Sequence, residues 1–397
     1  MSSRLHMLQI FNRYLQYGGE EGSITRIGDA LQGIHDVDYF FYSTSQLAGE
    51  GVWSKLQIPW KSIYNPVIAA GLTRMQQANH YDLWQIHNIF PAMSPVVYEL
   101  ALKWNVPIVQ YLHNYRFACV NGFFINHGKP CQRCLSGNFW PAFQTACWHD
   151  SHLYSGWLGL ITHHIRRMPL FERVFRWVAI SEAQKREHVR MGIPADRISV
   201  VYHFLEPTQP PLPPAPTPTA IFVGRLSVEK GVERLLQAWR LICDGKRQLI
   251  IMGDGPEREK LQRMAADMPG VKFTGFVKGE EQVRYWREAL FSVVPSIWLE
   301  PFGMTILESW SRGRPVLGHA IGALPELIEE GVDGCLADPE SPEDLARKME
   351  EMFANPEHTA AMGLAGRRKL EERFSVSRWL KDISKVYEGV PLNPARK

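Results

Sequence analysis

Between residues 219 and 320 the chain alternates short β-rich apolar runs with segments whose apolar residues recur at helical spacing, and nothing else constrains the fold as strongly. TAIFVGRL (219–226) reads as a strand entering a glycine turn and KGVERLLQAWRLI (230–242) as an amphipathic helix. QLIIMGDG (248–255), VKFTGFV (271–277), FSVVPS (291–296) and RPVLGHA (314–320) read as further strands. PEREKLQRMAADM (256–268), EEQVRYWREAL (280–290) and a stretch through ESWSRG that Gly313 can end read as the helices between them. Strands separated by single helices predict a mostly parallel sheet covered on both faces.

The first half repeats the alternation less cleanly. LHMLQIF (5–11), DYFFYST (38–44), YDLWQIHN (81–88), PIVQYLHN (107–114) and VFRWVAIS (174–181) are its strand candidates. LQYGGEE (15–21) is a turn before a helix through ITRIGDALQGI, and PVVYELALKWN is a second helix. Asp36 and Asp38 of the DVD run, placed ahead of a strand, read as a solvated turn. PTQPPLPPAPTPT (207–219) excludes a helix and favours an extended connector. A chain of 397 residues is too long for one ordinary core. The expected organisation is a Rossmann-like domain at 1–206 with a cysteine-rich insertion at 119–147, the linker 207–219, a second Rossmann-like domain at 220–375 and a tail helix at 376–397. Two such α/β halves meet at a cleft lined by the C-terminal ends of their strands.

Charge narrows the function. Charged residues are 21% of the chain and the formal net charge is +3, which gives a nucleic-acid role no electrostatic support. The N-terminal MSSRLHMLQIFNRYLQ lacks the uninterrupted apolar core of a secretory signal, and no apolar run reaches membrane-spanning length. The expected location is the cytoplasm.

EPFGMTILE (300–308) holds two carboxylates around a Pro-Phe-Gly turn. It follows a strand and opens a helix, where unpaired N–H groups favour an anion. Gly303 and Met304 therefore present amides to a phosphate. Glu308 lies more than a turn further in, where a carboxylate can accept from ribose hydroxyls. Arg225 and Lys230 in GRLSVEKG suit a diphosphate, more so one that gains charge as it leaves. A glycosidase also uses paired carboxylates, but that reading leaves both cations and the glycine turn without a role.

GRL with KG, then GDGPE, GFV and EPFGMTILE, in this order and spacing, resemble the C-terminal domain of retaining GT-B glycosyltransferases of family 4 over residues 220–375. The family's Glu, seven residues, Glu pattern is matched by Glu300 and Glu308, and its Arg and Lys pair by Arg225 and Lys230. YGGEE is similar to its first glycine loop, so Gly18 and Gly19 would approach the donor phosphates; Val277 of GFV joins the donor-binding set. His113 resembles the family histidine that faces the donor sugar, and the tail matches the helix that crosses back to the N-terminal domain. The resemblance implies retaining, metal-independent transfer from a nucleotide diphosphate sugar to a glycan or lipid-linked acceptor in polysaccharide or glycoconjugate synthesis. Arg225, Lys230 and helix amides would stabilise the departing diphosphate. Glu300 would orient the sugar, and His113 would bond to it or share a developing proton. A catalytically silent subunit that binds a sugar nucleotide or a partner enzyme is the alternative.

Two features stand outside this scheme. Cys131 and Cys134 form a C-x-x-C knuckle with Cys119 and Cys147 on either side, a set that can wrap a structural zinc. Reduced thiols, a Cys131–Cys134 disulfide or an iron cluster are the other readings, and His127 and His149 are substitute ligands. SHLYSGWLGLITHHIRRMPLFERVFRW (151–177) mixes aromatic, aliphatic and basic residues at helical spacing. Such a face can lie peripherally on the inner surface of an anionic membrane, or the helix can pack within its domain.

Overall fold

The computed structural model describes residues 4–13, 19–48, 58–213 and 215–396. The chain divides into two compact units: Met1–His127, Cys131–Val201 and Leu380–Lys397 form the first, Gly128–Pro130 and Tyr202–Trp379 the second. In chain order the strands are β1 (His6–Arg13), β2 (Asp36–Ser43), β3 (Leu83–Ile86), β4 (Ile108–Leu112), β5 (Ile125–Asn126), β6 (Lys129–Pro130), β7 (Arg176–Ala179) and β8 (Ile198–Val200), then β9 (Thr219–Val223), β10 (Gln248–Met252), β11 (Val271–Gly275), β12 (Phe291–Val294), β13 (Val316–His319) and β14 (Gly334–Ala337). One six-stranded sheet runs β2-β1-β3-β4-β7-β8 and the other β11-β10-β9-β12-β13-β14; β5 and β6 pair as a small hairpin. Every pairing in the two large sheets is parallel. The α/β expectation of two parallel sheets is met.

Strand burial explains why these runs are so uniformly apolar. In β9, Ala220 and Phe222 enter one hydrophobic cluster of the second unit, with Trp239, Leu249 and Ile251. Ile221 enters another, with Ile250, Tyr285 and Trp286, and Val223 packs against it. Alternate side chains thus serve opposite faces, and both faces are covered by helices. Each fully buried large apolar side chain contributes about 1.5–3 kcal/mol. Helix starts follow local chemistry: Asn65 accepts from the N–H groups of Val67 and Ile68 ahead of Pro66–Asn79, and Ser341 accepts from Asp344 ahead of Pro342–Ala354.

Three expectations change. Asp36 and Asp38 lie inside β2, where Asp36 pairs with Arg4 and Asp38 accepts from Tyr81; the ladder with β1 takes their backbone, so DVD is strand and not turn. β8 and β14 escape a sequence reading because three or four residues at a sheet edge show no period. The proline-rich stretch is extended, but it lies along the second unit: Leu212 N–H donates to Arg312 O, Arg314 donates to the Leu212 and Pro213 carbonyls, and Arg367 donates to Gln209 O. The last helix, Val376–Tyr387, contains the unit boundary. Beyond it, Tyr387 donates to Gln85 and Asn393 N–H to Asp82, within the first unit.

In the second unit, Asp333 is 1% exposed, accepts from Lys369 at 2.6 Å, and sends its carbonyl to Trp310 Nε1. Trp310 lies on the helix Met304–Ser311 that follows β12. Lys369→Met leaves this carboxylate buried without its cation, so unfolding in urea should show a loss of about 3 kcal/mol; an unchanged midpoint would remove the pair from the forces holding that helix.

Candidate functional site

Numbered within its own unit, the second sheet runs third, second, first, fourth, fifth, sixth, so its winding reverses between β9 and β12. Ligands of open parallel sheets bind beyond the carboxyl ends of the strands at such a reversal. The loops leaving there, 224–231 and 295–303, carry Arg225, Lys230, Glu300 and Gly303. Their backbones touch: Ile297 N–H donates to Glu229 O at 3.0 Å. Gly231 has φ +68°, and a Cβ there would lie 1.8 Å from Pro295 O, so only glycine allows this approach.

On this support a half-buried Lys230 and a buried Glu300 form one ion pair. Glu300 is 5% exposed. Lys230 Nζ donates to Oε1 at 3.2 Å and Oε2 at 2.9 Å. Ser296 Oγ and Trp298 Nε1 each donate to Oε2 at 2.8 Å, and Lys230 lies 5.4 Å over the Trp298 ring. Oε2 thus takes three donors and Oε1 one, leaving Oε1 the freer acceptor. The loop is held from behind: Ala323 N–H donates to Glu300 O at 2.8 Å, and His319 Nδ1 donates to Ser296 O at 3.0 Å.

Gly303, at φ +91°, starts the helix Met304–Ser311, and Thr305 Oγ1 ties that start to Val223 O at 3.4 Å. The first N–H groups of the helix lack intrahelical acceptors. Glu308 is half-buried one turn in, and Arg225 is exposed. The Val277 side chain is half-buried and packs against the cluster of Ile221, Ile250 and Trp286.

The first sheet reverses between β1 and β3. Gly18 lies outside the described residues. Gly19 opens the helix Gly19–Gln32, and a Cβ there would meet nothing within 4 Å, so the fold itself does not demand glycine. His113, just past β4, is 9% exposed, and burial depresses its pKa to about 3. Its partner is His87, just past β3, whose Nδ1 lies 2.8 Å from His113 Nε2.

Neighbouring amides set the proton positions. Gln9 Nε2 donates to Ile24 O, so it is an amide nitrogen that faces His87 Nε2 at 2.8 Å. Tyr387 donates to Gln85 Oε1, which turns the Gln85 amide nitrogen toward the same His87 atom at 3.3 Å. His87 Nε2 therefore accepts, its proton is on Nδ1, and His113 must accept at Nε2 and carry its own proton on Nδ1. His87, Gln85 and Tyr387 were missed in the sequence; the signal was that two strands of one sheet, in QIHN and YLHN, both end in His-Asn.

The comparisons with known proteins agree with this geometry. The family model described as "Glycosyl transferases group 1" matches residues 208–369 and that described as "Glycosyltransferase Family 4" matches residues 17–209. The chain belongs to the family 4 glycosyltransferases. It is 30% identical over 192 residues to the sulfoquinovosyl transferase of Arabidopsis thaliana, covering 44% of this chain and 37% of that protein. The chain spans less than half the length of the curated relatives it matches. Among solved structures it resembles Anabaena HepE in complex with UDP and glucose (TM-score 0.69, 18% identity, 97% of this chain and 100% of that one). It also resembles sucrose-phosphate synthase of Thermosynechococcus elongatus (TM-score 0.72, 18% identity, 97% and 98%). These likenesses establish the GT-B fold.

In this family 4 chain the four clustered cysteines converge on one small cavity of about 20 Å³, lined by Cys119, Cys131, Cys134 and Cys147. All are free thiols. His127 and His149 do not line it, so they are not substitute ligands. Among the described residues no group of three or more His, Cys, Asp or Glu side chains already stands in a metal-holding arrangement.

The histidine pair has two measurable consequences. His113 should show the Nδ1–H tautomer in ring ¹⁵N spectra and should not titrate between pH 5 and 8; titration near its ordinary 6.5 would refute the tautomer chain. Because the unfolded chain binds this proton below about 6.5 and the folded one does not until about 3, stability falls as pH drops through that window. The fall should be shallower in His113→Gln.

Proposed function

We propose that this protein is a retaining glycosyltransferase that moves a sugar from a nucleotide diphosphate to a glycan or lipid-linked acceptor. The observation that carries this reading is the part-buried Lys230–Glu300 pair between a glycine-dependent loop and a helix N-terminus at the sheet reversal. The family, and a solved neighbour in complex with UDP and glucose, support a sugar nucleotide as donor.

The chemistry follows from charge. The diphosphate gains negative charge as the bond to the sugar breaks, and preorganised positive groups lower that barrier. Lys230, Arg225 and the N–H groups at Gly303 and Met304 supply it, so the transfer step needs no divalent cation. Loss of the leaving group makes the sugar oxocarbenium-like, and the acceptor attacks from the face the diphosphate vacates. Oε1 of Glu300, the freer oxygen, holds a sugar hydroxyl. Three donors on Oε2 lock the carboxylate in place and spread its charge, which suits positioning better than nucleophilic attack. Glu308 accepts from the ribose, and His113 offers its Nδ1–H to the sugar. Gly18 and Gly19 belong to the phosphate approach.

Turnover of a panel of nucleotide sugars tests this directly. Lys230→Ala should lower kcat by a hundredfold or more, on the order of the loss of one charge-stabilising donor, and it should still fold because Ser296 and Trp298 continue to hold Glu300. Glu308→Ala should raise donor KM about tenfold with kcat nearly kept, the value of one hydrogen-bonded contact. Added EDTA should leave the initial rate unchanged. Donor binding with neither transfer nor hydrolysis would instead support a silent binding subunit.

The acceptor side carries its own proposal, a peripheral contact with the inner face of an anionic membrane. The helix His152–Arg167 buries Leu158, Ile161 and Ile165 and exposes Leu153 (81%), Tyr154 (63%) and Leu160 (64%), with His163, His164 and Arg167 on its last two turns. No described helix is long and apolar enough to cross a membrane. The protein should float with phosphatidylglycerol vesicles and be released by Leu153→Glu with Leu160→Glu; equal flotation of the variant would sink the proposal.

A further inference from the structure

Four sulfurs separated by up to 28 positions of sequence meet at one void, and nothing in the transfer chemistry uses them. Apolar side chains of the segment, Ala118, Val120, Phe124, Ile125, Pro141 and Ala142, line the same void, and Phe139 and Phe143 pack toward Gly159 and Gly156. The void, about 20 Å³, holds a single water-sized particle or one ion.

Donors surround the sulfurs, and the Cys119 thiol itself donates to Asn121 Oδ1 at 3.0 Å. Cys119 Sγ is surrounded by the backbone N–H groups of Asn121, Gly122, Phe123 and Phe124, and Cys134 receives one from Ala142. Cys147 is hydrogen-bonded by Ser155, and the Arg133 guanidinium bonds Cys131 and lies within electrostatic reach of Cys134 and Cys147. These donors would offset the charge of thiolates gathered around a cation in the void that all four cysteines line.

We propose that Cys119, Cys131, Cys134 and Cys147 bind one structural zinc ion. Four thiols in a tetrahedral set match zinc's preference. On binding they release four protons, leaving a centre of net charge −2, which Arg133 and the amide groups offset. The thiols line the void without yet closing on its centre, so the ion draws them the remaining distance by side-chain rotation. The result staples the segment beginning six residues after His113 to the helices Trp140–Gln144 and His152–Arg167. It is a site of the first unit and independent of the Lys230–Glu300 pair.

The test uses the full chain purified under reducing conditions without chelator. Elemental analysis should find about one zinc per chain, released when an organomercurial blocks the thiols. Cobalt refolded in its place should give the intense visible absorption of a tetrahedral tetrathiolate. Cys134→Ser should bind zinc at least about tenfold more weakly, whereas Cys243→Ser, outside the cluster, should match the unchanged protein. Zinc removal should lower the melting temperature and open the chain to proteolysis between 119 and 147, while nucleoside diphosphate binding persists. If Cys134→Ser does not fold, the cobalt spectrum of the unchanged protein still decides. Iron in place of zinc, a Cys131–Cys134 disulfide, or a metal-free chain that takes up no cobalt would each overturn the proposal.

Discussion

The candidate chemistry depends on the close contact of Gly231 with the carbonyl of Pro295. Any side chain at 231 would collide with that oxygen. Only with the two loops this close can Lys230, on one, reach the Glu300 carboxylate, on the other, at 2.9 Å. Parallel strands bring loop ends to one edge of a sheet, but they do not bring backbones into contact. The missing Cβ does. A lysine and a glutamate taken out of water without each other would be costly to bury, so the loop contact and the ion pair support one another.

The first unit uses neutral groups for the same end. His113 holds its ring through His87, His87 through Gln9 and Gln85, and Gln85 through Tyr387 of the tail. Each link turns a residue with two possible hydrogen-bonding patterns into one with a single pattern. The tail therefore reaches the histidine pair through a chain of donors whose direction is set at the tyrosine. A charged network there would have needed counter-ions; a neutral one needs only donors and acceptors in order. The two units differ in this respect, one built on a part-buried charge pair and the other on a buried tautomer.

Much of the architecture was legible because its signals are local. An apolar run of β9 or β12 covered on both faces, a proline and serine before Pro342–Ala354, and a glycine ahead of Met304 report structure within a few residues. The same locality explains the failures. β8 and β14 are too short to carry a period, and Asp36 and Asp38 look like turn residues unless the ladder with β1 is known. The prolines before residue 219 fix an extended backbone, but arginines 101 to 158 positions away decide where it lies.

By itself the sequence determined the strand and helix alternation, the identity of the family, and the residues from which a phosphate and sugar site could be built. Periodicity and motif spacing are properties of the chain. Tertiary structure alone decided that Lys230 and Glu300, 70 positions apart, act as one ion pair, that His113 is neutral and carries its proton on Nδ1, and that four cysteines share one cavity. These are properties of distance and burial. They depend on which groups are excluded from water together, and that is settled only when separate segments pack.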